Sequence, residues 1–190
     1  MIKSFTKINA ILLITIFLND SIKIGSQTWA DKNLDVTYFR NGDKIKQITS
    51  GTEWMMAGIN KEPAWCYFEF DAENGKKYGK LYNGFAVLDK RGLAPKGWRI
   101  PSDADFKKLE NHIDKNANKL KADNSNETGF TALYSGNINF SGSFMGELFC
   151  VWTASKSGNK VFYRKLNNYN IGIDRKLAEP TQGYAVRCIK

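Results

Sequence analysis

The sequence predicts an α+β fold with two helices and an antiparallel sheet. Strand-like segments open the chain, two helical segments follow, and a run of short strand-like segments fills the remainder. Helices and strands that are segregated along the chain in this way favour an α+β domain over repeating β-α-β units. A chain of 190 residues with 13% aromatic side chains can form one domain with a substantial core.

Two short strands are expected at the start of the domain. Apolar and polar residues alternate between Ser21 and Asp35, and Gly25 marks a turn between the first strand and a second over residues 28–30. The polar segment from Val36 to Glu62 is punctuated by glycines and is expected to be irregular. Two further expectations concern the segments that follow: an aromatic-rich strand over Trp65–Phe70 and a turn over Asp71–Gly75.

Two helices are expected in the middle of the chain. The first covers Tyr82–Asp89, although Gly84 weakens it. The second runs from Ser102 to about Asp114, because the Ser102 hydroxyl can accept a hydrogen bond from the N–H of Asp105, whose carboxylate can reciprocate. Its apolar face repeats at three- and four-residue spacing: Phe106, Leu109 and Ile113.

Short strands are expected in the C-terminal part of the chain. Residues 115–128 are rich in lysine, asparagine and aspartate and are expected to form a surface excursion. Beyond Gly129, small and polar residues separate apolar segments at the spacing of a compact antiparallel sheet. The predicted strands are Phe130–Leu133, Gly136–Phe140, a short segment at Phe144, Leu148–Ala154, Lys160–Leu166, Ile171–Ile173 and Tyr184–Ile189.

Residues 1–20 are expected to be a secretory signal peptide. Lys3 and Lys7 provide a positive start, and Ile8–Leu18 is a mainly apolar run. This run is too short for a comfortable transmembrane helix, which needs about 20 apolar residues. We therefore expect a secreted or cell-surface domain over residues 21–190, with an uncleaved anchor or an internal hydrophobic strand as the alternative.

The charge of the chain argues against a nucleic-acid partner. The 28 basic and 19 acidic residues give a net charge of +9, but the basic residues are scattered and interleaved with acidic ones. An arginine-rich stripe, which is typical of nucleic-acid-binding domains, is absent from the sequence. The charge instead favours a mild attraction to anionic polymers at a cell surface.

Three cysteines fall in the predicted domain. Cys150 and Cys188 lie at the edges of predicted strands and are disulfide candidates. A bridge between Cys66 and Cys188 is equally permitted, and so are three buried, reduced thiols. None of the cysteines has a CxxC partner, so we expect no metal and no dithiol redox site.

Several ordered segments resemble the Fibrobacter succinogenes major paralogous domain family. They are Ile24–Leu34, Trp65–Tyr67, Tyr78–Tyr82, Gly97–Asp103, Gly129–Leu133, Val151–Ser155 and Gly183–Cys188. The resemblance covers the chain from about residue 22 to the C-terminus. It implies an exported bacterial domain with a C-type lectin-like fold, in which two helices accompany a curled antiparallel sheet and the termini lie close together. It also implies no established enzymatic activity. The chain departs from the family where Leu93–Pro95 stands in place of a frequent cysteine, which puts a family-wide disulfide scheme in doubt.

The alternative to a binding module is an enzyme. Gly97–Ser102 and Gly183–Cys188 also look like segments of formylglycine-generating enzymes, which use a closely placed pair of reactive cysteines late in the chain. Here the two late cysteines are far apart in sequence. His112 is the only histidine, so a catalytic relay and a histidine-rich metal site are both disfavoured. A carboxylate hydrolase using Glu69, Asp71 and Glu73 is the other enzymatic possibility, although such close residues in a polar turn more often form a solvated edge.

A calcium site is conceivable from the oxygen ligands of two loops, and we expect none to be required. The candidates are Asp71, Glu73, Asn74, Asp123, Asn124, Asn126 and Glu127. Lectins that bind sugar through calcium usually carry a Glu-Pro-Asn loop and a Trp-Asn-Asp strand. This chain has Ala178–Thr181 and Val151–Ala154 at the corresponding places. We therefore expect no cofactor.

The predicted ligand-binding residues lie in one late segment. They are Tyr163, Asn167, Asn168, Tyr169 and Asn170, whose amide and aromatic side chains suit recognition by an adaptable loop. An asparagine-rich hairpin turn without a ligand is the alternative. Four tryptophans are expected to serve the core: Trp29, Trp65, Trp98 and Trp152. The sequence thus predicts a monomeric, non-enzymatic module that binds a protein or glycan at the cell surface.

Overall fold

The computed structural model describes residues 21–190. The predicted signal peptide lies outside the described residues. Within residues 21–190, no helix is long and apolar enough to cross a membrane.

Eleven strands in the described residues form three sheets. In chain order they are β1 (Ser21–Ile24), β2 (Gln27–Ala30), β3 (Lys46–Gln47), β4 (Ala64–Cys66), β5 (Leu81–Asn83), β6 (Asn137–Ile138), β7 (Phe144–Met145), β8 (Leu148–Ser157), β9 (Lys160–Asn167), β10 (Asp174–Ala178) and β11 (Gly183–Tyr184). β1 and β2 form a hairpin, and β10-β9-β8 form an antiparallel sheet. The order β3-β4-β5-β11-β6-β7 makes a six-stranded sheet in which only β3 and β4 pair in parallel.

Four α-helices and two 3-10 helices accompany the sheets in residues 21–190. The α-helices are α1 (Gly51–Ile59), α2 (Ala72–Tyr78), α3 (Gly84–Val87) and α4 (Asp103–His112). The 3-10 helices are Phe68–Phe70 and Ala117–Lys119. The α+β prediction is confirmed, whereas the expectation of two helices is corrected to four.

Helix α4 has the cap that its sequence predicts. The Ser102 hydroxyl accepts from the N–H of Asp105 at 3.2 Å, and the Asp105 carboxylate accepts from the N–H of Ser102 at 2.7 Å. The predicted helix over Tyr82–Asp89 is shortened to α3, because Tyr82 pairs with both Trp65 and Tyr184 in the six-stranded sheet.

The two additional helices begin at polar caps. Helix α1 occupies the segment expected to be irregular, and the Ser50 hydroxyl accepts from the N–H of Glu53. Helix α2 replaces the expected turn, with the Asp71 carboxylate accepting from the N–H of Glu73. Gly75 is required by packing, because a Cβ there would lie 2.2 Å from the Tyr67 ring.

The C-terminal strand predictions are partly confirmed. The predicted strands around β6 to β9 are present, but Phe130–Leu133 and Ile171–Ile173 are not strands. Beyond β11 only isolated bridges continue the pairing, including Val151 with Ala185 and Trp29 with Ile189. The predicted strand Trp65–Phe70 ends at Cys66 and gives way to a 3-10 helix.

The predicted disulfide between Cys150 and Cys188 is corrected by the register of these segments. The Cys150 carbonyl accepts from the N–H of Ala185 at 3.0 Å, and Cys188 lies three residues further along. Three extended residues span about 10 Å, whereas bridged cysteines have Cα atoms less than about 7 Å apart. All three cysteines, including Cys66, are free and buried.

The tryptophans serve the core, as predicted. Trp29, Trp65 and Trp152 are buried, and Trp54 of α1 joins them. Trp98 is partly buried at the rim of the core, where the Lys190 ammonium lies 4.8 Å from its ring centroid.

A fully buried cation, Arg187, joins three parts of the chain. Its guanidinium donates hydrogen bonds at 2.6–3.4 Å and stacks 4.5 Å from the Phe130 ring centroid. Burial lowers the pKa of Arg187 to about 9, so the group stays charged at neutral pH. The acceptors are the Asn33 side-chain oxygen and the carbonyls of Ala30, Asp31, Phe130 and Thr131. The C-terminal segment is thereby tied to the end of β2 and to the loop around residue 130.

We predict that Arg187→Lys destabilises the protein by about 2–4 kcal/mol, because an ammonium lacks the planar fork and leaves buried acceptors without donors. Urea unfolding measures the change. The matched control is Arg91→Lys, at a partly exposed arginine paired with Asp89 and Asp43. It should leave the unfolding midpoint nearly unchanged, and equal effects of the two substitutions would contradict the prediction.

A second buried arginine joins α4 to β9. Arg164 is fully buried and donates to Glu110 at 2.5 Å and to Asp103 at 2.9 Å. Arg175 on β10 also donates to Asp103, at 2.7 Å. Burial alone would raise the pKa of Asp103, but the hydrogen bonds and charges of Arg175 and Arg164 lower it to about 2.

We predict that stability falls as the pH drops from about 4 to about 2. The pKa of Asp103 is about 2 in the folded protein and near 3.8 in the unfolded chain, so the unfolded state binds more protons in that window. Asp103→Asn should lower stability at pH 7 and flatten the slope between pH 4 and pH 2, measured by urea unfolding. Glu147→Gln removes a carboxylate that has no ion pair in residues 21–190, and should leave the slope intact.

Candidate functional site

The predicted ligand-binding residues divide into two groups. Tyr163 lies within β9, where its ring packs 4.4 Å from that of Tyr184 and 6.1 Å from that of Trp152. Burial raises its pKa. Four residues of strand, about 13 Å, separate Tyr163 from Asn167. The structure therefore places Tyr163 against the core and leaves residues 167–170 as a separate loop.

Within that loop, one asparagine side chain, that of Asn167, holds the backbone. The Asn167 side chain accepts from the N–H of Tyr169 at 3.0 Å and of Asn170 at 3.1 Å. The Asn170 carbonyl accepts from the buried Lys121 ammonium at 2.7 Å. Asn168, Tyr169 and Asn170 are exposed, and Tyr169 presents 85% of its surface to solvent. The loop thus offers one aromatic ring on a fixed base, without a cavity of its own.

The cysteines do not form a reactive pair. Burial raises the pKa of Cys150 and of Cys188 to about 12, and it also raises the pKa of Cys66. A thiol with such a pKa is a poor nucleophile at neutral pH.

The acidic candidates also have local roles. Asp71 caps α2, and Glu73 pairs with Lys76 at 2.6 Å. Asp123 accepts from the Tyr134 hydroxyl at 3.2 Å, and Asn126 holds Thr131 through two hydrogen bonds. Among residues 21–190, no three histidine, cysteine, aspartate or glutamate side chains are grouped to hold a metal ion.

A half-open cleft of about 240 Å³ lies at the side of the α4 C-terminus. Its walls come from four segments: β1, the end of α4, the 3-10 helix Ala117–Lys119, and the loop that precedes Gly129. The lining residues are Lys23, Ile24, His112, Ile113, Lys119, Glu127 and Thr128. In this cleft the single histidine lies beside charged residues of other segments, Lys23, Lys119 and Glu127.

Local interactions fix the walls of the cleft. The two-residue β1–β2 turn contains Gly25 with φ +57°, and a Cβ there would lie 2.9 Å from Nδ1 of His112. The glycine therefore allows the imidazole to pack directly on the hairpin. On the opposite wall, the Thr128 hydroxyl donates to the Lys119 carbonyl at 2.8 Å. The Ile24 and Ile113 side chains join the buried core beneath the cleft.

The cleft contains both hydrogen-bond donors and acceptors. The Lys119 ammonium lies 3.2 Å from the Asp114 carboxylate and 4.0 Å from that of Glu127, so its charge is locally balanced. Lys23 adds a second ammonium, and the His112 imidazole adds two ring nitrogens that can form hydrogen bonds. Such a mixture suits a ligand with several hydroxyl groups better than a simple anion.

The 3-10 helix connects this cleft to the exposed loop. Lys119 faces the cleft, while the N–H of Ala117 donates to the Ile171 carbonyl at 2.7 Å. Lys121 holds Asn170 from the same segment. The predicted loop and the cleft therefore flank one short helix.

Sequence reasoning identified only part of this site. His112 and Glu127 were considered separately, as a surface histidine and as a calcium ligand, and the structure brings them to one cleft. Lys23, Lys119 and Thr128 were missed. Lys23 and Thr128 are more than a hundred positions apart, so no sequence pattern connects them. The close approach of Gly25 to His112 is visible only in three dimensions.

The fold and cleft define a mixed α+β domain with a small polar cleft beside α4. The family model for the Fibrobacter succinogenes major domain matches residues 22–190, and the chain belongs to this family. No curated protein and no solved structure matches the chain.

We predict that Gly25→Ala shifts the NMR resonances of His112, because the new methyl group would meet the imidazole. It should also cost about 1 kcal/mol or more in stability, since alanine is strained at positive φ. The matched control is Gly158→Ala, in the β8–β9 turn, where φ is +58° and nothing lies within 4 Å of the added carbon. The control should be destabilised while His112 is unmoved, and an unshifted His112 in Gly25→Ala would contradict the packing described here.

Proposed function

We propose that this domain is an exported, non-catalytic glycan-binding module with a C-type lectin-like fold. The cleft between β1, α4 and the loop before Gly129 holds one sugar residue. Residues 1–20 direct the chain to the cell exterior, where the domain acts as a monomer. Tyr169 and Asn168 on the neighbouring loop make a second contact with the same glycan.

The composition of the cleft carries this proposal. Sugar hydroxyls both donate and accept hydrogen bonds, and the cleft supplies the Lys23 and Lys119 ammoniums as donors and the Glu127 carboxylate as an acceptor. Its volume of about 240 Å³ lies below the roughly 300 Å³ at which pockets for drug-sized ligands begin. A single sugar ring matches that size.

The arrangement of the termini supports the lectin-like fold. Trp29 bridges to Ile189, and the N–H of Lys190 donates to the Thr28 carbonyl at 3.0 Å. The first and last described segments therefore lie side by side, as the resemblance implies for this fold.

The state of the ionisable groups supports binding rather than catalysis. A general acid needs a carboxyl pKa raised towards neutrality. In Asp103 and Asp105, arginine partners instead hold the pKa below its ordinary value. The thiols that an oxidase would use are buried, with raised pKa values.

The net charge of +9 supports a location among anionic surface polymers. The charge acts over several ångströms and raises the local concentration of an acidic glycan. Recognition of the individual sugar is then the task of the cleft. In this account attraction weakens with added salt, whereas the preference among sugars does not.

We predict that Glu127→Gln and Lys119→Met each weaken glycan binding at least tenfold, because each removes a charged hydrogen-bonding group from the cleft. Binding is measured with the purified protein on a glycan array and by titration of the best glycan, with calcium and with a chelator. We expect equal binding in both conditions.

The matched controls are Glu179→Gln and Lys160→Met, which remove the two members of an exposed ion pair of 3.3 Å away from the cleft. They should leave affinity unchanged. A glycan that binds equally well to the cleft variants would contradict the site, and no binding across the array would contradict the function.

A further inference from the structure

Strand β7 is a free edge of the six-stranded sheet, and its side chains are apolar. It consists of Phe144 and Met145, and Met145 exposes 59% of its surface. The neighbouring 3-10 helix packs against it, with the Phe144 ring 5.3 Å from Phe68 and 4.8 Å from Phe70. We call these four residues, Phe68, Phe70, Phe144 and Met145, the β7 patch.

Three other outer strands of the described sheets carry basic residues. β1 contains Lys23, β3 contains Lys46, and β10 contains Arg175 and Lys176. Charged side chains, lysine above all, are a common device against unwanted pairing at a strand edge. β7 lacks this device, although its length of two residues limits how much backbone it can offer.

The backbone of β7 is oriented for pairing with another strand. The N–H of Asn139 donates to the Ser143 carbonyl at 2.9 Å. Hydrogen-bonded and non-hydrogen-bonded pairs alternate along an antiparallel ladder, so the next pair, Ile138 with Phe144, is non-hydrogen-bonded. The N–H and carbonyl of Phe144 consequently point away from β6.

Unpaired carboxylates surround the β7 patch. Glu69, Asp71 and Glu147 are exposed and form no ion pair within residues 21–190. Glu69 lies between the two phenylalanines of the 3-10 helix, and Glu147 follows Met145 by two residues. The chain as a whole has a net charge of +9, so this is a local acidic rim on a basic protein.

The backbone beside the patch is held in an uncommon conformation. Glu69 and Phe70 both have φ of +57°, and Glu147 has φ of +55°. Conformations of this kind cost free energy in non-glycine residues and recur at binding surfaces. They fix the phenylalanine rings beside β7.

We propose that the β7 patch binds an extended, basic peptide segment of a partner protein, which adds a strand to the six-stranded sheet. Alternate apolar side chains of the peptide contact the phenylalanines, and its lysines or arginines meet the three carboxylates. A second copy of this chain is the poorer occupant, because it would bring two acidic rims together. This binding is independent of the glycan cleft, since none of the cleft residues belongs to the patch.

The probe is a nine-residue peptide in which valine alternates with lysine, and the matched peptide carries glutamate in place of lysine. Binding to the purified protein is measured by fluorescence anisotropy at low and at moderate salt. We expect the lysine peptide to bind at least tenfold more tightly than the glutamate peptide, although the protein carries a net positive charge. Met145→Lys should weaken binding at least tenfold, and Glu147→Gln should weaken it several-fold.

The matched control is Met56→Lys, at a methionine on α1 that exposes 46% of its surface. It should bind the lysine peptide as the unmodified protein does, and unfolding midpoints show that every variant is folded. Equal affinity for the two peptides, no binding of the lysine peptide, or equal loss in Met56→Lys would overturn the proposal. Dimerisation of the protein that Met145→Lys abolishes would assign the edge to a second copy and overturn it as well.

Discussion

A single buried cation, Arg187, holds together parts of the chain that adjoin the cleft beside α4. Its guanidinium is satisfied by carbonyl and amide oxygens, without a carboxylate within hydrogen-bond distance. Burying an unpaired polar group of this kind costs several kcal/mol, so each donor must find an acceptor. The acceptors come from the end of β2 and from the loop around residue 130. β2 pairs with β1, which lines the cleft, and the loop around residue 130 directly follows Glu127 and Thr128, which line another wall.

A second buried arginine fixes the wall that α4 contributes to the cleft. Arg164 ties α4 to β9 through Asp103 and Glu110, and the capped start of α4 is fixed by Asp105. Because these contacts hold both ends of α4, the His112 side chain lies at a defined position beside Gly25. The polar interior of this domain thus positions a small site, and arginine partners hold the pKa of Asp103 and Asp105 below its ordinary value.

Much of the fold was predictable from local sequence signals. The cap of α4, the strands around β8 and β9, and the buried tryptophans follow from patterns within ten residues. The helices α1 and α2 were missed for different reasons. Glycines in both segments suggested turns, but Gly58 makes room for Phe140 and Gly75 for Tyr67. Tertiary packing, rather than backbone freedom, explains those glycines.

The candidate site was less predictable than the fold. Asn167 suggested a ligand contact, and its side chain instead holds its own loop through hydrogen bonds to two backbone N–H groups. The cleft residues are spread from Lys23 to Thr128, and no periodicity connects them. The disulfide prediction was wrong because strand register, which sets the separation of Cys150 and Cys188, cannot be read from two isolated segments.

Native-state hydrogen exchange tests the role of Arg187 most directly. The N–H of Ala30 donates to the Cys188 carbonyl and that of Leu34 to the Val186 carbonyl, on either side of Arg187. If the Arg187 guanidinium holds these segments to the core, the N–H groups of Ala30 and Leu34 exchange only through global unfolding. Their opening free energy then equals that of the N–H of Trp152. Exchange of the Ala30 and Leu34 amides through a local opening of lower free energy, while the Trp152 amide stays protected, would contradict this account.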